Sequence, residues 1–247
     1  MKRFFDIVAS AFGLLIAAPI LLPVMFLVWR QDWHNPFYVA IRIGKDGKEF
    51  KMVKLRSMIV NADKSGVDST GANDLRITPI GHFIRRCKLD EITQLWNVLK
   101  GDMSLVGPRP NVKRETDLYT SKERVLLTVK PGITDFASIV FSDEGDILRD
   151  CQDPDISYNQ LIRPGKGYLG LFYIDHSSIF LDIKLCFLTV IAIVSRRVAL
   201  IKVENLLKAL EANSFIIEIA ARKNPLSPMP PPGGTKVITS RDENLNI

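Results

Sequence analysis

The sequence predicts a mostly helical α+β protein. An N-terminal apolar segment of helix-break-helix form precedes a small domain with one short β-hairpin and several amphipathic helices. Three observations predict this. Residues 7–29 carry no charge and are interrupted by Pro19 and Pro23. Residues 36–58 alternate apolar and polar side chains on either side of a glycine-containing turn. Much of the remainder repeats its apolar residues at helical spacing. The chain has 247 residues, 47% of them apolar, enough for one core with appendages.

The first element is the apolar run, 23 residues from 7 to 29. At about 1.5 Å per residue it is long enough for a bilayer core of about 30 Å. It is too long for a signal peptide and meets Arg30 without a small-residue cleavage site. Each proline removes a backbone donor and crowds the preceding turn. Basic residues flank both ends: Lys2 and Arg3 before, then Arg30, Arg42, Lys45 and Lys48. Such flanks prefer the cytoplasmic side. Residues 1–30 therefore read as a re-entrant membrane segment, with the break at Pro19 and with Lys2 and Arg3 as headgroup anchors. A straight span is the alternative, since prolines are tolerated in true spans.

The next elements follow in order. Phe37, Val39, Ile41 and Ile43 alternate on one arm of the hairpin, and Phe50, Met52 and Leu55 lie on the other, with Gly44 to Gly47 as the turn. Residues 61–76 read as a polar loop. Thr78-Pro79 is a helix start, with Thr as cap and Pro in the first position. A second helix is expected from Leu89 to Leu99, burying Leu89, Ile92, Leu95, Trp96 and Leu99 and stopping at Gly101. Another should begin at Ser121, and Phe136 to Phe141 reads as a short strand. Residues 179–194 form an apolar helix. Asp182 and Lys184 inside it argue against a second span and for packing on the domain or at the membrane surface. Residues 199–223 read as one amphipathic helix with Ile201, Leu206, Leu207 and Leu210 on one side, a surface that could join two copies in a homodimer. The Pro-rich stretch 224–234 breaks regular structure, and the chain to 247 reads as a disordered tail.

Composition excludes several chemistries. Three scattered cysteines and three histidines leave nothing for a disulfide framework or a thiolate or histidine zinc site. The formal net charge of +6 suits an anionic membrane surface or a phosphorylated substrate. No nucleic acid is expected as a partner, because no zinc-finger spacing or aromatic-rich RNA-binding motif is present.

The stretch RRCKLDEITQLWNVLKGDMSLVGPRP, residues 85–110, concentrates opposite charges around one apolar stripe. Asp90 and Glu91 lie about 100° apart on a helix, so both can face one cleft. Two acids among arginines suit a site that handles phosphate with a metal. On spacing alone, an acidic first turn that favours the helix dipole and a solvated basic face explain them equally well.

The block LDEITQLWNVLKGDMSLVGPRP, with KRFFDIV ahead of the Pro-interrupted segment, VKLRSM, KPGIT and SSIFLDIKLCFLTV, resembles the bacterial sugar transferases, the monotopic polyprenyl-phosphate phosphoglycosyl transferases. The matching pieces run in the family's order from residue 2 to about 195. The resemblance implies that residues 31–198 form a catalytic domain on the cytoplasmic face of a bacterial inner membrane. It implies transfer of a sugar-1-phosphate from a nucleotide diphosphosugar, by family expectation a UDP-sugar, to polyprenyl phosphate in the bilayer. It carries Asp90 over as the nucleophile and Glu91 as its partner and a Mg2+ ligand. Arg56, Arg85 and Arg109 fall on motif positions and suit the phosphate oxygens, because a guanidinium grips phosphate in two places. Two departures stand out. Ala18 replaces the serine often found before the proline break, and DFASIVFSDEGD after PGIT lacks an arginine common there. A non-catalytic membrane-surface adaptor and a lipid-diphosphate phosphohydrolase are the rival readings.

Overall fold

The computed structural model describes residues 1–62 and 74–240. It opens with a single uninterrupted helix, α1 (Lys2–Arg30), which contains both Pro19 and Pro23. The expected break at Pro19 is therefore replaced by continuous helix. Its buried residues, Asp6, Ser10, Ala17, Leu21, Val24 and Val28, fall three, four or seven apart and form one stripe against the rest of the protein. Both prolines lie on the outer face. The inner face keeps its packing, and only outward-lying turns lose a backbone bond. Phe4, Phe12, Leu15, Ile16, Ile20 and Phe26 are exposed on that outer side. The helix is long and apolar enough to cross a membrane, and only 22% of its most apolar window is buried.

Both ends of α1 are tied to the same domain. Lys2 Nζ donates to Asp182 Oδ2 (2.5 Å) and to the Val106 carbonyl (3.1 Å). Arg3 donates to the carbonyls of Val98 and Leu99. Both residues thus have partners within the domain, and Lys2 pairs there with the buried Asp182. At the other end the Val28 carbonyl accepts from Arg56.

The hairpin forms as expected from β1 (Phe37–Ile43) and β2 (Glu49–Leu55), antiparallel with Phe37 opposite Leu55 and Ile43 opposite Glu49. Its turn places Asp46 and Gly47 at φ 58° and 72°, conformations that Asp and Gly tolerate best. Helix α2 (Pro79–Arg86) begins at Thr78, whose side chain accepts from Gly81 N at 3.0 Å. The single helix expected over 89–99 is two short ones, α3 (Leu89–Ile92) and α4 (Leu95–Lys100), ended by Gly101 at φ 100°. Trp96 is 57% exposed, and Asn97 takes the inward position instead. The amide of Asn97 accepts from Val53 N and donates to the Lys51 carbonyl, so it closes the open edge of β2.

Two short strands, β3 (Ser104–Val106) and β4 (Gly132–Thr134), pair in parallel. Between them lie α5 (Lys113–Asp117) and a 3-10 turn over Glu123–Thr128, where a helix from Ser121 was expected. The stretch after β4 is helix α6 (Phe136–Val140) and not a strand. Asp135 decides it by capping, with Oδ1 accepting from Ser138 N at 2.7 Å. Then come α7 (Glu144–Ile147), α8 (Pro154–Ser157), a π-turn, α9 (Arg163–Asp175) and α10 (Ile179–Val194). The expected amphipathic helix at 199–223 is two, α11 (Arg196–Ala209) and α12 (Ser214–Ala221). Ile201 points outward, and Ala199, Val203 and Leu207 point into the core.

The main core joins α6, α9, α10, α11 and α12 through Phe136, Leu169, Leu185, Val203, Leu207 and Ile219. The apolar side of α11 is thus satisfied within its own chain. A second, smaller cluster sets Val24 and Val28 of α1 against Leu55, Ile84 and Leu89. Residues 224–234 form no helix or strand, as expected, yet they pack on the domain. The Pro232 carbonyl accepts from Thr120 Oγ1, and the Ile238 carbonyl from Gln160 Nε2. Ile238 is buried, so the expected tail is ordered to that point; residues 241–247 lie outside the described residues, as do residues 63–73 of the polar loop.

Candidate active site

Leu89 is held in the small apolar cluster beside α1, and the next two residues emerge from it. Lys88 precedes them in the left-handed region (φ 54°), an uncommon conformation for a residue with a side chain and one that sharply turns α2 into α3. Thr93 fixes the far side of α3, with Oγ1 donating toward the carbonyls of Asp90 (3.0 Å) and Val53 (3.2 Å). Asp90 and Glu91 are thereby set beside β2, whose Lys54 is half-buried next to them.

The two acids meet different surroundings. Arg109 donates from Nη2 to Glu91 Oε1 at 2.8 Å. Burial pushes the Glu91 carboxyl up, but Arg109, Lys88 and Lys54 outweigh it and hold the group down to about 2. Glu91 in turn lifts Arg109 above its ordinary range. For Asp90 burial wins. With the Glu91 charge added, it raises the carboxyl above its ordinary value despite Lys54, Lys88 and Arg109. Asp90 Oδ1 is buried and accepts no hydrogen bond among the described residues. The adjacent carboxylates are thus pushed in opposite directions, Glu91 held as an anion by its cations and Asp90 pushed by burial away from its charged form.

Arg85 is also brought to the pair. Its Nε donates to Ser57 Oγ at 3.1 Å, and Asp90 is the largest influence opposing the downward push of burial on its pKa. Arg56 is not. Its guanidinium pairs with both oxygens of Asp32 and donates to the carbonyls of Val28, His34 and Asn35. It clamps the end of α1, with each guanidinium nitrogen already donating within this corner of the fold. Pro19 lies far along α1 and takes no part.

Three residues that sequence reasoning passed over belong here. Burial and Arg109 lower the Lys54 ammonium to about 8, against the pull of Asp90 and Glu91, so it carries charge at neutral pH. Lys54 stands inside the VKLRSM motif, the one signal that could have found it. Glu144 and Lys166 form an ion pair, and Lys166, Arg109 and Lys88 keep Glu144 below the ordinary carboxylate range in spite of burial. No local pattern joins these two, 22 residues apart. A cleft continues from Arg109 between Tyr119, Asp135, Ser138, Tyr158 and Lys166.

No group of three or more His, Cys, Asp or Glu able to hold a metal occurs among the described residues. Mg2+ does not require one, because it keeps several waters and is often held by one or two carboxylates plus substrate phosphates. The unpartnered Asp90 oxygen and the adjacent Glu91 fit that incomplete donor set.

Arg109 owes its place to a tight backbone crossing. Gly107 N donates to the Thr134 carbonyl (3.0 Å) and Gly132 N to the Pro108 carbonyl (2.9 Å). A Cβ on Gly132 would lie 2.1 Å from Gly107 N. Gly132→Ala is therefore expected to displace the Arg109 loop and reduce whatever activity the site carries by about 10²-fold, the scale of an ångström-size misplacement. A kcat/KM within twofold of wild type would show that the loop tolerates the shift.

The profile of the bacterial sugar transferase family matches residues 1–196. The UDP-galactose-lipid carrier transferase of Erwinia amylovora is 34% identical over 211 residues, which cover 79% of this chain and 41% of that protein. The UDP-glucose:undecaprenyl-phosphate glucose-1-phosphate transferase of Klebsiella pneumoniae is 37% identical over 193 residues, 76% of this chain and 39% of that protein. The chain thus spans less than half the length of these two relatives. The sugar transferase EpsL of Bacillus subtilis, whose own activity is uncharacterized, is 36% identical over 190 residues, 77% of this chain and 85% of that protein. With the Asp90–Glu91–Arg109 arrangement inside the matched region, the chain belongs to the bacterial sugar transferase family.

Proposed function

We propose that this chain transfers a sugar-1-phosphate from a UDP-sugar to a polyprenyl phosphate, releasing UMP and leaving a polyprenyl diphosphosugar. The observation that carries this reading is the buried, unpartnered Asp90 oxygen next to a Glu91 fixed by Arg109. Asp90 attacks the phosphorus that bears the sugar. A carboxylate O–P bond forms, the P–O bond to the nucleotide breaks, and UMP departs with the bonding pair. The polyprenyl phosphate oxygen then attacks the same phosphorus and expels the Asp90 carboxylate. Two displacements replace one difficult transfer.

Arg109, Arg85 and Lys54 surround the pair with positive charge and suit the diphosphate oxygens. Arg109 takes one oxygen of Glu91, and the other is the one Glu91 would offer Mg2+. Bound there, Mg2+ supplies charge neutralisation between a carboxylate and a diphosphate. The exposed apolar face of α1 supports an acceptor presented by a bilayer, with the site on the cytoplasmic face of the inner membrane. The step is the first membrane event of glycoconjugate assembly. The names of the relatives, which join UDP-sugars or undecaprenyl phosphate to transfer, support the substrate class.

The test is a panel of nucleotide sugars with Mg2+ and polyprenyl phosphate, scored for released nucleotide and for lipid product. UMP and polyprenyl diphosphosugar are expected in equal amounts from at least one UDP-sugar. Phosphate released from lipid diphosphates would establish the phosphohydrolase instead, and no turnover with any donor would favour the adaptor.

A further inference from the structure

Arg109 stands three residues beyond β3, and β3 is fastened to the first two turns of α1. Asp6, 3% exposed, accepts from Ser104 Oγ at 2.9 Å and from Leu105 N at 3.1 Å. Lys2 donates to the Val106 carbonyl at 3.1 Å and is itself held by Asp182 and the Tyr173 hydroxyl. Ser104 and Val106 are almost wholly buried. Past Val106 the chain enters the Gly107–Gly132 crossing and then Pro108-Arg109-Pro110, so little slack separates β3 from the guanidinium. An apolar helix that only held the chain on a bilayer would gain nothing from a buried carboxylate, whose desolvation is unfavourable unless it is well paired. The partners of Asp6 lie not on α1 but on the strand that leads into the arginine loop.

We propose that Asp6 is a positioning residue, which acts through β3 to aim Arg109 at Glu91 and at the donor diphosphate, so that the seating of α1 sets the geometry of the site. This rests on the transferase reading above. Asn at this position can still accept from Leu105 N and can donate to Ser104 Oγ, whereas Ala can do neither.

The experiment uses the full chain in lipid nanodiscs and measures KM for the UDP-sugar donor and kcat separately. Asp6→Ala is expected to raise donor KM about tenfold or more, a fraction of the effect of an ångström of misplacement, and Asp6→Asn to stay within twofold of wild type. The decisive readout is the double-mutant cycle with Arg109→Ala. If Asp6 works through Arg109, adding Asp6→Ala to that background leaves donor KM unchanged. Ser104→Ala, which leaves α1 intact, should raise KM in the same direction by less, and it serves if Asp6→Ala does not fold. Wild-type KM in Asp6→Ala, or in Ser104→Ala where that variant must serve, would overturn the proposal. So would an Asp6→Ala effect that multiplies onto Arg109→Ala. A wild-type chain that transfers from no donor would instead defeat the transferase reading itself.

Discussion

Asp90→Asn is expected to lose transfer by at least about 10³-fold, since removal of an essential nucleophile leaves only binding and electrostatic terms. It should also become more resistant to unfolding. The amide keeps the size of the side chain but cannot displace the nucleotide. Labelled donor that tags the wild-type polypeptide should leave the variant unlabelled. The stability effect follows from the same burial. The Asp90 carboxyl is raised in the folded state, by burial first and by Glu91 second. A group raised on folding contributes stability below its unfolded value and loses it as pH rises through the folded one. Above its unfolded value the raised Asp90 carboxyl therefore costs the fold stability, and a neutral amide relieves that cost. A gain of about 1 kcal/mol would lift the midpoint by about 2–4 °C in a chain of this size. Inactivity with a lower midpoint would point to a structural acid rather than a reactive one. Full activity would remove Asp90 from the nucleophile's place.

The readable parts of this molecule were those governed by local chemistry. The 23-residue apolar run, the Thr78-Pro79 start, the stop at Gly101 and the hairpin turn each depend on residues within a few positions of one another. The Asp90–Glu91–Arg109 set was marked only by the resemblance of the block that holds all three, since spacing alone left it open and α4 and β3 lie between Glu91 and Arg109. Lys54 and the Glu144–Lys166 pair were not, because packing of distant segments puts them there. Arg56 shows the converse. It shares a motif with Lys54, yet it closes the end of α1 on Asp32.

Secondary structure failed where a single side chain or a crowded contact outweighed the pattern. Phe136 to Phe141 is rich in strand-forming residues, and the Asp135 cap makes the stretch helical. Helix α9 contains Pro164 and three glycines, which hid it from a propensity reading. The prolines of α1 were read as a break because sequence shows the lost donor but not the inner face that holds the helix together. Nothing in the sequence around Asp6 points to its partner, and only the fold shows that it is β3.

Arg109→Ala should reduce kcat/KM by about 10²–10³-fold, the scale of losing one preorganised donor to developing phosphate charge. It should also change how stability depends on pH. In the wild type the Glu91 carboxyl is depressed to about 2 on folding. A depressed group contributes stability above its unfolded value and loses it as pH falls through the folded one. The wild type should therefore lose this contribution between the ordinary carboxylate range, about 4 to 4.5, and about pH 2. Without Arg109 the largest remaining influence on Glu91 is burial, which pushes its carboxyl upward. The variant should then be penalised most at neutral pH, and the gap to wild type should narrow as acid protonates Glu91. The Glu91 and Arg109 side chains are 20% and 29% exposed. The penalty should accordingly fall below the about 3–5 kcal/mol of a fully buried pair broken on one side. Urea midpoints from pH 4 to 7.5 measure it directly, and a gap that stays constant across that range would mean Glu91 does not depend on Arg109 for its charge. Arg109→Lys separates the two roles, since a lysine restores the charge but not the planar fork. Stability should largely return while donor KM stays high. Recovery of both together would reduce Arg109 to a counter-charge, and the grip on the diphosphate would have to lie with Arg85 and Lys54.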